Sequence, residues 1–99
     1  MPRLLAQAEI DAALAALNGW TQQGNQLVRE YRLADFRTAL AFVNAVAELA
    51  EAADHHPDIL LHGWNRVRVT LSTHSAGGIT ENDSHLAEDI DNLPAPPRQ

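Results

Sequence analysis

The stretch from Arg66 to His74, RVRVTLSTH, alternates without a break. Val67, Val69 and Leu71 fall on one side; Arg66, Arg68, Thr70, Ser72 and His74 fall on the other. Side chains of a strand point to opposite faces in turn, so this segment buries one face and gives the other to water. A sheet built on such a strand is covered on one side only. Its partners must be antiparallel strands and helices packed on a single face.

The rest of the chain supplies them. Residues 6–17, AQAEIDAALAAL, place Ile10, Ala13, Leu14 and Leu17 on one helical stripe, and Asn18-Gly19 is a stop signal. The period then changes. Leu27, Tyr31 and Leu33 alternate with polar residues, although Arg29 breaks the pattern, and Gly24-Asn25 is a turn signal. These predict a hairpin of a short strand near Trp20 and a longer one over 26–33. Asp35 can cap the next helix, FRTALAFVNAVAELAEAAD. Phe36, Leu40, Val43, Ala47 and Ala50 form one apolar stripe on it; Phe42, Ala45, Leu49 and Ala52 form a second. So wide an apolar arc has two sides to bury, one against the sheet and one against another helix or another subunit. Pro57 disfavours helical geometry in the residue before it, which predicts a helix end near His56.

DILLHGW then reads as a short strand ended by Gly63, and Ala76-Gly77-Gly78 as a loop. Thr80 opens a last helix with Leu86, Ile90 and Leu93 inside, followed by a proline-rich tail, residues 94–99, expected to fray. The order α-β-β-α-β-β-α is that of an α+β two-layer sandwich: a four-stranded antiparallel sheet with three helices on one face. One domain over residues 1–99 is expected.

Composition narrows the function. The formal charge is -6, and the cations are seven scattered arginines with no lysine, which argues against binding a phosphate backbone. Cysteine is absent, so disulfides and thiolate metal sites are excluded. No run approaches the ~20 apolar residues of a membrane helix, and a signal-peptide core is not evident. A cytoplasmic location is the expectation.

Five histidines carry the available chemistry: His55, His56, His62, His74 and His85. His62 and His85 read as surface residues. His55 and His56 fall where a long helix ends, and His74 at the end of the alternating strand, before a glycine loop. A histidine ordinarily titrates near pH ~6.5, so such groups exchange protons near neutrality. Three imidazoles and a carboxylate could also hold zinc, but adjacent residues on regular structure diverge, and no i, i+4 ligand spacing appears. Asp83 completes a capping box with Thr80, which explains an acid there by itself.

The pattern from Glu51 to Asp83, ExxDHHPxxxxxxWNRVRVTLSTHxxGGITxxD, resembles the pterin-4a-carbinolamine dehydratases. The upstream Trp20, LVREYRLADF and the helix that follows extend the resemblance over almost the whole chain. It implies a four-stranded antiparallel sheet with helices on one face and assembly as a homodimer or homotetramer. It implies removal of water from 4a-hydroxytetrahydropterin to give quinonoid dihydropterin, which regenerates the cofactor of aromatic amino acid hydroxylases. His55, His56 and His74 become the candidate catalytic residues. Asp83, with Asp54 of the same motif, becomes a supporting acid, and Trp64 a wall for the flat bicycle, its alternative being an ordinary core aromatic. No metal or organic cofactor is implied. Ile59 and Leu60 stand where some relatives carry an aromatic, and the stretch Pro57–Trp64 is one residue longer than in the animal enzymes, so the pocket rim should differ. Animal relatives also serve as dimerisation cofactors of a transcription factor, which makes a non-catalytic binding or regulatory module the alternative.

Overall fold

The computed structural model describes residues 3–93. Its elements run α1 (Gln7–Ala16), β1 (Thr21–Gln23), β2 (Gln26–Arg32), α2 (Phe36–Ala53), β3 (Asp58–His62), β4 (Arg66–Leu71) and α3 (Glu81–Asp91), with a short 3-10 helix at His74–Ala76. The four strands form one antiparallel sheet in the order β1-β2-β4-β3. The tail, 94–99, lies outside the described residues. No helix among the described residues is long and apolar enough to cross a membrane.

The alternation of β4 is realised as predicted: Val67, Val69 and Leu71 are fully buried. They meet Leu27 and Tyr31 of β2, Ala39, Phe42 and Val46 of α2, Leu86, Ala87 and Ile90 of α3, and Ile10 of α1 in one core. All three helices therefore cover the same face of the sheet. Arg29, which interrupts the pattern of β2, is a true member of the inward set. Its guanidinium lies 4.2 Å above the Tyr31 ring and 2.7 Å from the Asp91 carboxylate, so the charge is paired where it is buried.

Two expectations for α2 change. Its buried line is Ala39, Phe42, Val46 and Ala50, while Phe36 and Leu40 stay exposed on the single chain. The two predicted stripes flank this line, one on each side, because at 3.6 residues per turn the core-facing row runs between them. The helix also stops at Ala53, three residues short of His56. Asp54 takes the left-handed conformation (φ 51°, ψ 44°), its N–H reaches the Glu51 carbonyl at 3.2 Å, and the His55 N–H reaches Ala50 at 3.0 Å. This is a Schellman closure with aspartate where glycine is usual. Pro57 disfavours a helical His56, and the chain turns out ahead of that constraint.

Candidate active site

The Schellman turn decides where the paired histidines go. His55 follows the left-handed residue and turns inward; its side chain is 11 % exposed. Nε2 of His55 lies 2.6 Å from Oδ1 of Asp83. Asp83 comes from the first turn of α3, where its capping-box position aims the carboxylate back at the helix start, and it is fully buried. Oδ2 of Asp83 accepts the Thr80 N–H at 2.9 Å and the Thr73 hydroxyl at 2.9 Å. Asp83 is thus an acceptor on both oxygens, and the proton of the short bond belongs to His55 Nε2. With Asp83 ionised, the proton of this bond sits on Nε2, and a neutral His55 carries its lone pair on Nδ1.

His56 points the other way, as adjacent residues do. It is exposed, with Nε2 2.6 Å from Oε2 of Glu51, the acid that opens the motif. Both partners are open to solvent, so this contact orients the ring more than it stabilises the fold.

The alternating strand ends at Leu71, before the predicted His74. Thr73 forms an isolated bridge with Gly78, and His74 begins the 3-10 turn between them, exposed. The strand stops because the chain must turn into α3. His74 lines a hollow of about 250 Å³ with Asn25, Gln26, Asp58, Thr70, Ser72 and Gly77. Neither His55 nor His56 lines it. The arms are nonetheless neighbours: β3 begins at Asp58, which pairs with Thr70 near the end of β4, and Asp83 bridges His55 to Thr73, the residue before His74.

Asp54 and Trp64 stand apart from this cluster. Asp54 closes α2 through its backbone, with an exposed side chain. Trp64 sits in the β3–β4 turn, at the opposite end of that hairpin from the histidines, and is 62 % exposed. It is therefore no core aromatic, and within one chain it does not wall the hollow. His85 is exposed; His62 lies 3.2 Å from Oε2 of Glu30 on the outer face of the sheet. Among the described residues no three His, Asp or Glu side chains are grouped as a metal ion would require.

The sequence did not single out Asp58, which lines the hollow, or Thr73, which bonds Asp83. Strand parity could have found Asp58, which sits opposite Thr70 on the face that Ser72 and His74 share. Thr73 carried no signal, because its partners come from the start of a helix that follows it.

The α+β sandwich is the fold the motif called for, and the comparisons agree on fold and family. The sequence profile of the family described as Pterin 4 alpha carbinolamine dehydratase matches residues 3–93. A protein of Chloroflexus aurantiacus, named as a provisional pterin-4-alpha-carbinolamine dehydratase, is 54% identical over 93 residues, covering 94% of this chain and 98% of its own. One of Roseiflexus castenholzii, named likewise, is 50% identical, with 94% and 99% covered. A crystal structure of a transcriptional coactivator/pterin dehydratase from Brucella melitensis superposes with TM-score 0.81 at 40% identity, covering 87% of this chain and 93% of that one. A pterin dehydratase-like protein identified as a RuBisCO assembly factor in the alpha-carboxysome gives 0.65 at 27%, covering 80% and 93%. The chain belongs to the pterin-4a-carbinolamine dehydratase family.

Proposed function

We propose that this protein dehydrates 4a-hydroxytetrahydropterin to quinonoid dihydropterin and so regenerates the cofactor of an aromatic amino acid hydroxylase. The observation that carries this is the chain His55–Asp83–Thr73, which ends beside His74 at the hollow. In the reaction the 4a carbon–oxygen bond breaks and the hydroxyl leaves as water with an added proton. The neighbouring ring nitrogen gives up its proton, and its electrons close the new double bond. His74 exchanges a proton from within the hollow; His55, through Nδ1, and His56, which orients the ring, act on the part of the pterin that extends past the hollow's lining toward the start of β3. Asp83 holds His55 in one tautomer. Asn25, Gln26, Asp58, Thr70 and Ser72 offer the polar rim that a pterin's ring amide and amine would use.

The test is purified protein with synthetic 4a-hydroxytetrahydropterin, following quinonoid product by absorbance. The expected result is catalysed dehydration that falls ~10²–10⁴-fold in His74→Ala, the usual worth of a positioned acid or base. Wild-type turnover in that variant removes His74 from the chemistry. Native protein no faster than buffer removes the dehydratase reading and leaves a binding module. That second reading has its own support: Phe36 and Leu40 are 50% and 43% exposed on α2, and two related structures are described as a coactivator and an assembly factor.

A further inference from the structure

Thr73 touches both arms of the site. Its side chain and Thr80 are buried with Asp83, and its hydroxyl lies 2.7 Å from the Thr80 hydroxyl and 2.9 Å from Oδ2 of Asp83. The directions of these bonds follow from counting protons. A hydroxyl has one, and the carboxylate can only accept. Thr73 therefore donates to Asp83, and the bond to Thr80 uses the proton of Thr80, whose oxygen in turn accepts the Asn82 N–H at 3.2 Å. No alternative arrangement satisfies all of these groups at once. The backbone of Thr73 is equally committed. Its N–H donates to Gly78 at 2.8 Å, and its carbonyl accepts from Ala76 at 3.1 Å and Gly77 at 2.9 Å. The turn that carries His74 closes on Thr73 from both sides.

We propose that Thr73 is a positioning residue that locks the two histidine-bearing arms together: its hydroxyl fixes the rotation of Asp83, and through it His55, while its backbone sets the turn that presents His74. Loss of the hydroxyl leaves the Thr80 proton and one carboxylate lone pair without a partner, where Thr80 and Asp83 are fully buried and water has no access. Asp83 Oδ2 then keeps only the Thr80 N–H, and the carboxylate holds His55 less firmly in its orientation. Thr73 does not itself line the hollow.

The experiment compares Thr73→Val, which keeps the shape and removes the hydroxyl, with Thr73→Ser, which keeps the hydroxyl and removes the methyl. The kinetic consequence rests on the dehydratase reading; the spectroscopic one does not. In Thr73→Val, kcat is expected to fall about ten- to a hundredfold with KM nearly unchanged, the size seen when a residue that orients an active group is lost. The low-field proton resonance of the His55–Asp83 bond should broaden or move. Thr73→Ser restores both. If Thr73→Val does not fold, Thr73→Ala is read the same way. Native kcat and an unmoved resonance in the hydroxyl-free variant overturn the assignment, as does a serine variant that fails like valine, since packing of the methyl would then be what matters.

Discussion

Helix α3 holds a carboxylate network at each end, and the two serve different ends. At its start Asp83 gathers His55, Thr73 and the Thr80 N–H. At its finish Asp91 gathers the Trp20 indole at 2.9 Å, the Tyr31 phenol at 2.9 Å, Arg29 at 2.7 Å and the Asn18 N–H at 3.1 Å. Arg29 also donates to the Asn18 carbonyl, tying the α1–β1 connection into the same knot. The helix field explains part of the contrast. Negative charge is favoured at a helix N-terminus and disfavoured at the C-terminus. Asp83 rests against the favourable end and needs only neutral donors and an imidazole; Asp91 faces the unfavourable end and is matched by a permanent guanidinium charge. The remainder lies in the partners. Indole, phenol and guanidinium do not exchange protons near neutrality, and imidazole does. A buried, satisfied carboxylate is thus not in itself a site. It becomes one when it holds a group that can titrate beside a space that can hold a molecule.

The sharpest way to break this contrast is to make the same substitution at both ends. Asp83→Asn and Asp91→Asn should each lower stability, by about 2 kcal/mol, since each trades a buried, hydrogen-bonded carboxylate for an amide that cannot accept every donor. Activity should separate them. In Asp83→Asn the amide nitrogen turns toward His55 and forces the opposite tautomer, a change that costs about 10²-fold or more in rate where a histidine is held this way. In Asp91→Asn, turnover per folded molecule should stay at the native level. Denaturant titration and kinetics on the same preparations check both halves. Equal losses of turnover would mean that α3 acts as one unit and that the distinction between its ends is false.

The next test asks whether the Asp91 end titrates at all. Tyr31, the sole tyrosine, is 2% exposed, and burial pushes its phenol well above the ordinary range; Arg29 opposes the shift and Asp91 adds to it. A raised folded value means that the neutral phenol's contribution to stability is fully present below the unfolded tyrosine value of ~10 and is lost as pH rises toward the folded one. Tyrosinate absorbance should therefore appear late, together with loss of helical circular dichroism. Ionisation near the ordinary tyrosine value with the fold intact would show the Asp91 knot to be open to water.

The two ends also differ in what the sequence revealed. Asp83 was legible because it sits three residues after Thr80 in a capping pattern and closes the histidine motif. Asp91 was not, because its partners lie 60 or more residues earlier, and nothing in DIDNLP announces them. The sheet, its single covered face and the order of elements followed from alternation and turn residues alone. What periodicity could not supply was the phase of α2, where alanines fill the arc and two stripes look equally apolar. Nor could it supply the early end of that helix, which Asp54 makes by accepting a conformation usually left to glycine. Trp64 fits the motif in spacing, but the strand between it and the histidines carries it away from them.

That turn gives a baseline for the comparison, a place where no network holds the side chain. Gly63 and Trp64 both have positive φ, 55° and 59°, and the indole is 62 % exposed. Glycine bears this conformation freely; for a bulky residue it costs about 1–2 kcal/mol. Asparagine tolerates it through local hydrogen bonding and is common in such turns. Trp64→Asn should therefore raise stability by about 1 kcal/mol, the smallest effect predicted, read as a higher urea midpoint at unchanged slope. A lower midpoint would show that the indole makes contacts which outweigh its strain. A gain in stability accompanied by loss of turnover would be the more informative failure. With the hollow at the far end of the hairpin, an aromatic needed for the reaction could reach it only from a second chain, and the site at the Asp83 end would then be completed across a subunit boundary.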